Sequence, residues 1–135
     1  MLALFGVAAN RVEYDPDLAR LSILGVFQQI DATAFPYTIE TMGVAVRFEL
    51  SPEEYGKSVT ANVGLVDEGG RRNHVDQRQR GLPQAQAGRP TLWDFALNLS
   101  RIQVDAPGHY QIVFRIDKEI VAEVPLWVVG PPSAP

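Results

Sequence analysis

Arg71, Arg72, His74, Arg78 and Arg80 fall within ten residues, opposed only by Asp76, and Arg89 follows nearby. Guanidinium forks match the two-oxygen geometry of carboxylate and phosphate, so this cluster reads as an anion site, for a small ligand or for an acidic partner surface. No aromatic side chain interleaves with the arginines, which argues against single-stranded nucleic acid, whose bases need stacking platforms. The bland alternative is a solvated loop whose polarity keeps it away from the core.

Other chemistries find little support in the residues. The chain has no cysteine, which removes disulfides, thiolate metal sites and thiol nucleophiles. Its two histidines, His74 and His109, form no His-x-His or His-x-x-x-His pair, and a metal site needs three or four converging ligands. Asp15, Asp17, Asp31, Asp67, Glu68, Asp105 and Asp117 all fall at turns, where aspartate ordinarily bonds nearby backbone, and no calcium-loop spacing is present. None of Ser22, Ser51, Ser58, Ser100 and Ser133 stands in a Gly-x-Ser-x-Gly elbow, and no glycine loop suits a phosphate. The expectation is a protein that is not an enzyme, with no catalytic residue, no metal and no cofactor. Trp93 and Trp127 could together stack on a sugar. Trp93, however, shares its face with Phe95 and Leu97 and reads as core, whereas Trp127 reads as core or as an exposed edge.

The elements that must carry these residues are strands. Met42, Val44, Val46, Phe48 and Leu50 alternate with Gly43, Ala45, Arg47 and Glu49, the period of two that marks a strand with one buried face. Val59 to Leu65, Trp93 to Leu99, Tyr110 to Ile116 and Ile120 to Val129 repeat that signal, and earlier strands are expected over Leu2 to Tyr14 and Leu21 to Ile30. The apolar opening, Met1 to Ala9, lacks a basic flank and is too short to span a bilayer. It reads as a first strand buried on both faces, with the cytoplasm as the default location and no membrane contact. Gly25 marks a bulge or a close approach, and the apolar phase slips by one residue after Ser100-Arg101, which suggests a β-bulge or a change of sheet. Pro125 inside the last strand argues for an edge, because proline cannot donate to a ladder. Residues 69–90 are expected as a long Arg/Gln-rich loop insert in a single domain spanning 1–129, in which His74-Val75-Asp76 could pair briefly as an edge strand, and 130–135 as a disordered proline-rich tail.

Asp105-Ala106-Pro107-Gly108-His109-Tyr110 looks like the tyrosine corner of immunoglobulin-like and related Greek-key sandwiches, with Gly108 supplying the turn and Tyr110 the anchor. The segments Leu21-Ser22-Ile23-Leu24-Gly25-Val26-Phe27, Pro107-Gly108-His109-Tyr110 and Ile116 to Leu126 together resemble a family of small uncharacterised bacterial domains of unknown function. That resemblance implies a β-sandwich and supplies no activity. The chain departs from the pattern at Lys118, where a glycine is expected, and in the insert near residues 71–89. The combined reading is an all-β, antiparallel two-sheet sandwich of about seven to nine strands, immunoglobulin-like or of a related Greek-key type. It is expected to act as an interaction or structural module with an unknown protein partner or as a homodimer. The alternative is a small-ligand or carbohydrate-binding module using the loops at one end.

Overall fold

In a computed structural model, which describes residues 1–131 without the side chains of residues 73–75, the chain is a two-sheet β-sandwich. The nine strands are β1 Leu2–Asp15, β2 Arg20–Phe27, β3 Gln29–Asp31, β4 Tyr37–Glu49, β5 Ser58–Val66, β6 Arg72–Gly81, β7 Leu92–Val104, β8 Gly108–Ile116 and β9 Glu119–Val129. One sheet has the order β2-β1-β4-β7 and the other β3-β9-β8-β5-β6. All pairings are antiparallel except β3 with β9, a short parallel ladder that departs from the purely antiparallel expectation. The proposed disorder of the tail falls largely on residues 132–135, outside the described residues.

The alternating residues meet between the sheets. Met42, Val44, Val46 and Phe48 of β4 pack with Val63, Leu65, Ile112, Phe114, Leu126 and Val128 of the opposite sheet. Phe48 stacks on Trp93 at 5.5 Å, Trp93 lies 5.7 Å from Phe95, and Phe95 meets Phe114 edge-on at 6.1 Å, so Trp93 is core. Each such ring buries a large apolar surface, and the paired geometry adds roughly 0.5–1.5 kcal/mol per contact.

Three expectations change. β1 is not buried on both faces: Leu2 and Leu4 are exposed, and only Ala8, Ala9 and Val12 are deeply covered. A continuous apolar run on an edge need not be interior. The phase slip at Arg101 is not a displaced register, since Thr41 pairs with Ser100 and Ile39 with Ile102 in unbroken sequence. Arg101 adopts φ +53° and both strands change phase together, which keeps Ile39, Ile102 and Val104 inside. Finally, the middle of the insert is strand: residues 72–81 form β6, the margin of the second sheet, paired to β5 from Ser58↔Gly81 to Val66↔Arg72. Leu82 then turns inward as the buried anchor of the connection to β7.

Pro125 lies where the open margin of β9 begins, because β3 covers only residues 127–129. Trp127 N–H donates outward to the Gln28 carbonyl at 2.7 Å. By alternation Pro125 also directs its nitrogen outward, so its missing donor removes nothing from the ladder with β8.

Candidate functional site

The first sheet carries a second small apolar layer on its outer face. The second half of β1 leaves β4 after Ala9↔Gly43 and, joined to β2 as a ribbon, crosses the sheet. Ala9, Val12 and Ala45 are buried there, flanked by Val7, Leu21, Ile23 and Ala96. Gly43 permits the crossing: a Cβ at that position would lie 2.8 Å from the Val12 nitrogen and 3.0 Å from the Arg11 carbonyl carbon. Gly25, with φ +68°, lets β2 pass the Asn10 side chain, in agreement with the close approach expected from its place in the strand.

The ribbon tip, with Tyr14 and Ala19, forms one wall of a cleft of about 680 Å³. The start of β7 and the β6–β7 connection form the other walls, and the charged lining is Arg47, Arg80, Arg89 and Asp94. Arg47 and Asp94 are opposite one another on β4 and β7, both outward, and meet as a bidentate pair with Nε–Oδ1 at 2.7 Å and Nη2–Oδ2 at 2.9 Å. The hydrogen bond to Asp94 raises the Arg47 pKa, more than partial burial lowers it. The same guanidinium lies 5.6 Å from the Phe5 ring centre.

Arg80 and Arg89 are the other two cations. The half-buried Arg80 sets its guanidinium 5.6 Å from the centre of Phe95, closing the side of the sandwich between β6 and β7. Its Nη1 donates to the Gln79 carbonyl at 3.0 Å. Among the described residues neither Arg80 nor Arg89 has a carboxylate partner. Among the described residues the cleft therefore holds three guanidiniums against one carboxylate, and that carboxylate is engaged by Arg47.

The structure disperses the cluster read from the sequence. Arg71 lies in the β5–β6 turn, its N–H donating to Asp67 Oδ1 at 2.9 Å. Arg72 begins β6, roughly 26 Å along the strand from Arg80 at about 3.3 Å per residue. Arg78 is exposed and pairs with Asp76 through Nη1 and Oδ1. His74 is on β6 opposite Leu65, and its side chain is outside the described residues. Of the four arginines among them, only Arg80 lines the cleft among the described residues. Arg47 and Asp94 were not found from sequence as a pair. The available signal was an arginine outward-facing within the apolar run Met42 to Phe48, but the partner depends on cross-strand register.

The tyrosine corner is present. Tyr110 is buried and its hydroxyl donates to the Ala106 carbonyl at 2.6 Å, while Gly108 opens β8 at φ +149°. On the outer face beside it, His109 stacks on the half-exposed Trp127 at 4.2 Å. The two tryptophans thus lie on different surfaces and cannot make one sugar platform. Among the described residues, no group of three or more His, Asp or Glu could hold a metal ion, and no helix is long and apolar enough to cross a membrane.

A family model described as "Family of unknown function (DUF6941)" matches residues 4–129. No curated protein matches the chain. Among solved structures, an immunoglobulin-like protein from Pseudomonas aeruginosa is 15% identical, with a TM-score of 0.35 and 90% of each chain covered. A β-glucuronidase from glycoside hydrolase family 2 is 18% identical, with a TM-score of 0.43, over 68% of this chain. The chain spans 11% of that enzyme's length. The alkylpurine DNA glycosylase AlkC from Pseudomonas fluorescens, bound to DNA with an abasic site analogue, is 10% identical, with a TM-score of 0.45, over 92% of this chain and 30% of that one. At identities below 25% and TM-scores below 0.5 these likenesses carry no argument about this chain.

Proposed function

The chain belongs to this family of unknown function, and on that premise we propose that it is a non-enzymatic β-sandwich module that binds an anionic group in the cleft between β6, β7 and the β1–β2 ribbon. One observation carries the reading: among the described residues Arg80 and Arg89 line the cleft with no carboxylate partner, while Arg47 occupies the one carboxylate that lines it. A partly enclosed site favours recognition of carboxylate or phosphate by arginine, since screening is weaker there than on an open surface. Among the described residues no histidine lines the cleft, and Asp94 is held by two hydrogen bonds as an acceptor, which fits binding rather than proton transfer.

The test is a titration with citrate and with inorganic phosphate, read by the fluorescence of Trp93, which lines the cleft, in a Trp127→Phe background. Saturable binding that weakens with salt is expected. It is lost in Arg80→Ala/Arg89→Ala and retained in Arg71→Ala/Arg72→Ala. Equal loss in both double variants, or no binding of either anion to the parent, overturns the proposal.

A further inference from the structure

We infer that the free edge of β6 accepts an extended acidic segment of a partner protein as an added strand, which delivers a carboxylate into the cleft. The inference rests on the anion-binding reading of that cleft and identifies the anion's carrier.

The backbone directions follow from alternation. Thr60 N–H donates to Asp117 Oδ1 at 2.9 Å, and Thr60 O accepts from Asp117 N–H at 3.0 Å, both on the β8 side. Odd-numbered residues of β5 therefore turn their backbone groups toward β6, where Val59, Ala61 and Val63 face Arg80, Arg78 and Asp76. Those even-numbered residues of β6 bond back to β5, and Gln77 and Gln79 direct their N–H and C=O groups to the open side. The side-chain contacts agree: Arg78 Nη1 donates to the Gln77 carbonyl and Arg80 Nη1 to the Gln79 carbonyl, each at 3.0 Å. A carbonyl already bonded to β5 would not present itself so. Among the described residues the two outward N–H groups have no protein acceptor.

β6 is thus an edge whose carbonyls are covered by guanidiniums of its own strand. Ten residues without proline form this margin, and it ends at Gly81, at the mouth of the cleft. A neutral strand would have to displace two charge-assisted hydrogen bonds, and although Arg78 keeps Asp76, Arg80 would be left with no replacement. An acidic strand supplies replacements: carboxylates two residues apart lie on one face, as Arg78 and Arg80 do, so each guanidinium can pass to a carboxylate and release its carbonyl to the incoming N–H. A second copy pairing through the same edge would bring like charges together, so the device excludes self-association while admitting an acidic partner. The charge balance fits, because a chain of net charge −4 places Arg72, Arg78 and Arg80 against Asp76 alone on this strand. The β9 margin, blunted by the outward nitrogen of Pro125, has no equivalent.

The experiment uses the full chain and a synthetic ten-residue peptide of alternating glutamate and valine, beside the same peptide with glutamine for glutamate. The expected result is binding of the glutamate peptide alone, with slowed hydrogen exchange at the Gln77 and Gln79 amides. Gln79→Pro, which removes an outward donor and the side-chain bond from Gln79 Nε2 to Thr60 Oγ1 but no backbone bond to β5, weakens the peptide by roughly tenfold and leaves citrate binding unchanged. Arg80→Ala/Arg89→Ala weakens both. The amide readout in the parent protein does not depend on any variant folding. Peptide binding without protection of Gln77 and Gln79, or equal binding of the glutamine peptide, overturns the strand inference. Citrate binding with no peptide binding also overturns it and leaves the anion cleft standing. Failure of both probes overturns the cleft reading as well.

Discussion

Asn98 grips Val12 at both of its backbone polar groups: Oδ1 accepts from the Val12 N–H at 3.0 Å, and Nδ2 donates to the Val12 carbonyl at 2.8 Å. One side chain of β7 thereby replaces a strand partner, across Gly43, for a stretch of β1 that has left β4. This clamp and the absent Cβ at residue 43 together lay the β1–β2 ribbon on the sheet and bring Tyr14 to the cleft.

Gly43→Ala and Asn98→Ala should therefore act on the ribbon first. The alanine methyl meets backbone rather than a flexible side-chain end, so overpacking should cost about 1–3 kcal/mol. Asn98→Ala leaves two backbone groups in need of water and should cost about 1–3 kcal/mol. Hydrogen exchange should quicken at residues 10–23 while β8 stays protected. Uniform acceleration across both sheets would contradict a separable ribbon.

The corner gives a second expectation. Tyr110→Phe keeps the buried ring and removes the donor to the Ala106 carbonyl. Denaturant unfolding should show a loss of about 1–3 kcal/mol with an unchanged slope. A variant as stable as the parent would show that the hydroxyl does not anchor the corner.

Lys118 offers a gain. Asp117 and Lys118 form the two-residue β8–β9 turn with φ of +48° and +80°, the conformation in which glycine is favoured at the second position. Lys118→Gly should raise stability by about 1 kcal/mol, the cost of holding a side chain there. Thermal unfolding checks the sign, and a lower midpoint would count against it.

Acid should expose the role of Glu54. Burial opposes its charge, but the Met1 ammonium and the Ser51 N–H and hydroxyl all converge on Oε1 at 2.8 Å and hold its pKa below the ordinary 4.5. A carboxylate lowered by folding stabilises the native state fully above its unfolded value. That contribution is lost as pH falls from about 4.5 through the lower folded value. Glu54→Gln should lower the melting temperature at pH 7 and narrow its gap to the parent in stronger acid. A gap independent of pH would refute the ion pair's contribution.

Much of this architecture was readable because its signals are local. Alternation in 42–50, 59–65, 93–99 and 110–116 is the direct trace of a half-buried strand, and the Gly108–Tyr110 corner lies within a few residues of the carbonyl it bonds. Gly25 and the glycine missing at Lys118 were legible for the same reason: backbone conformation at a single position restricts residue type. Of β6 only a brief edge pairing at residues 74–76 was legible, because Arg, Gln and Asn occupy both of its faces and carry no hydrophobic period. It is a strand because β5 supplies a partner for its backbone.

The arginines show where that limit falls. Residue types alone established that this acidic, cysteine-free chain carries a dense group of guanidiniums suited to an anion, and the periods established the sandwich that bears them. Only the tertiary structure decided which arginines meet. A strand separates Arg72 from Arg80 by its own length, while sheet register and the ribbon crossing over Gly43 bring Arg47, Arg80, Arg89 and Asp94 around one cleft. Spacing along the chain measures distance within an element, but a site assembled from several elements is set by their packing, which no single segment encodes.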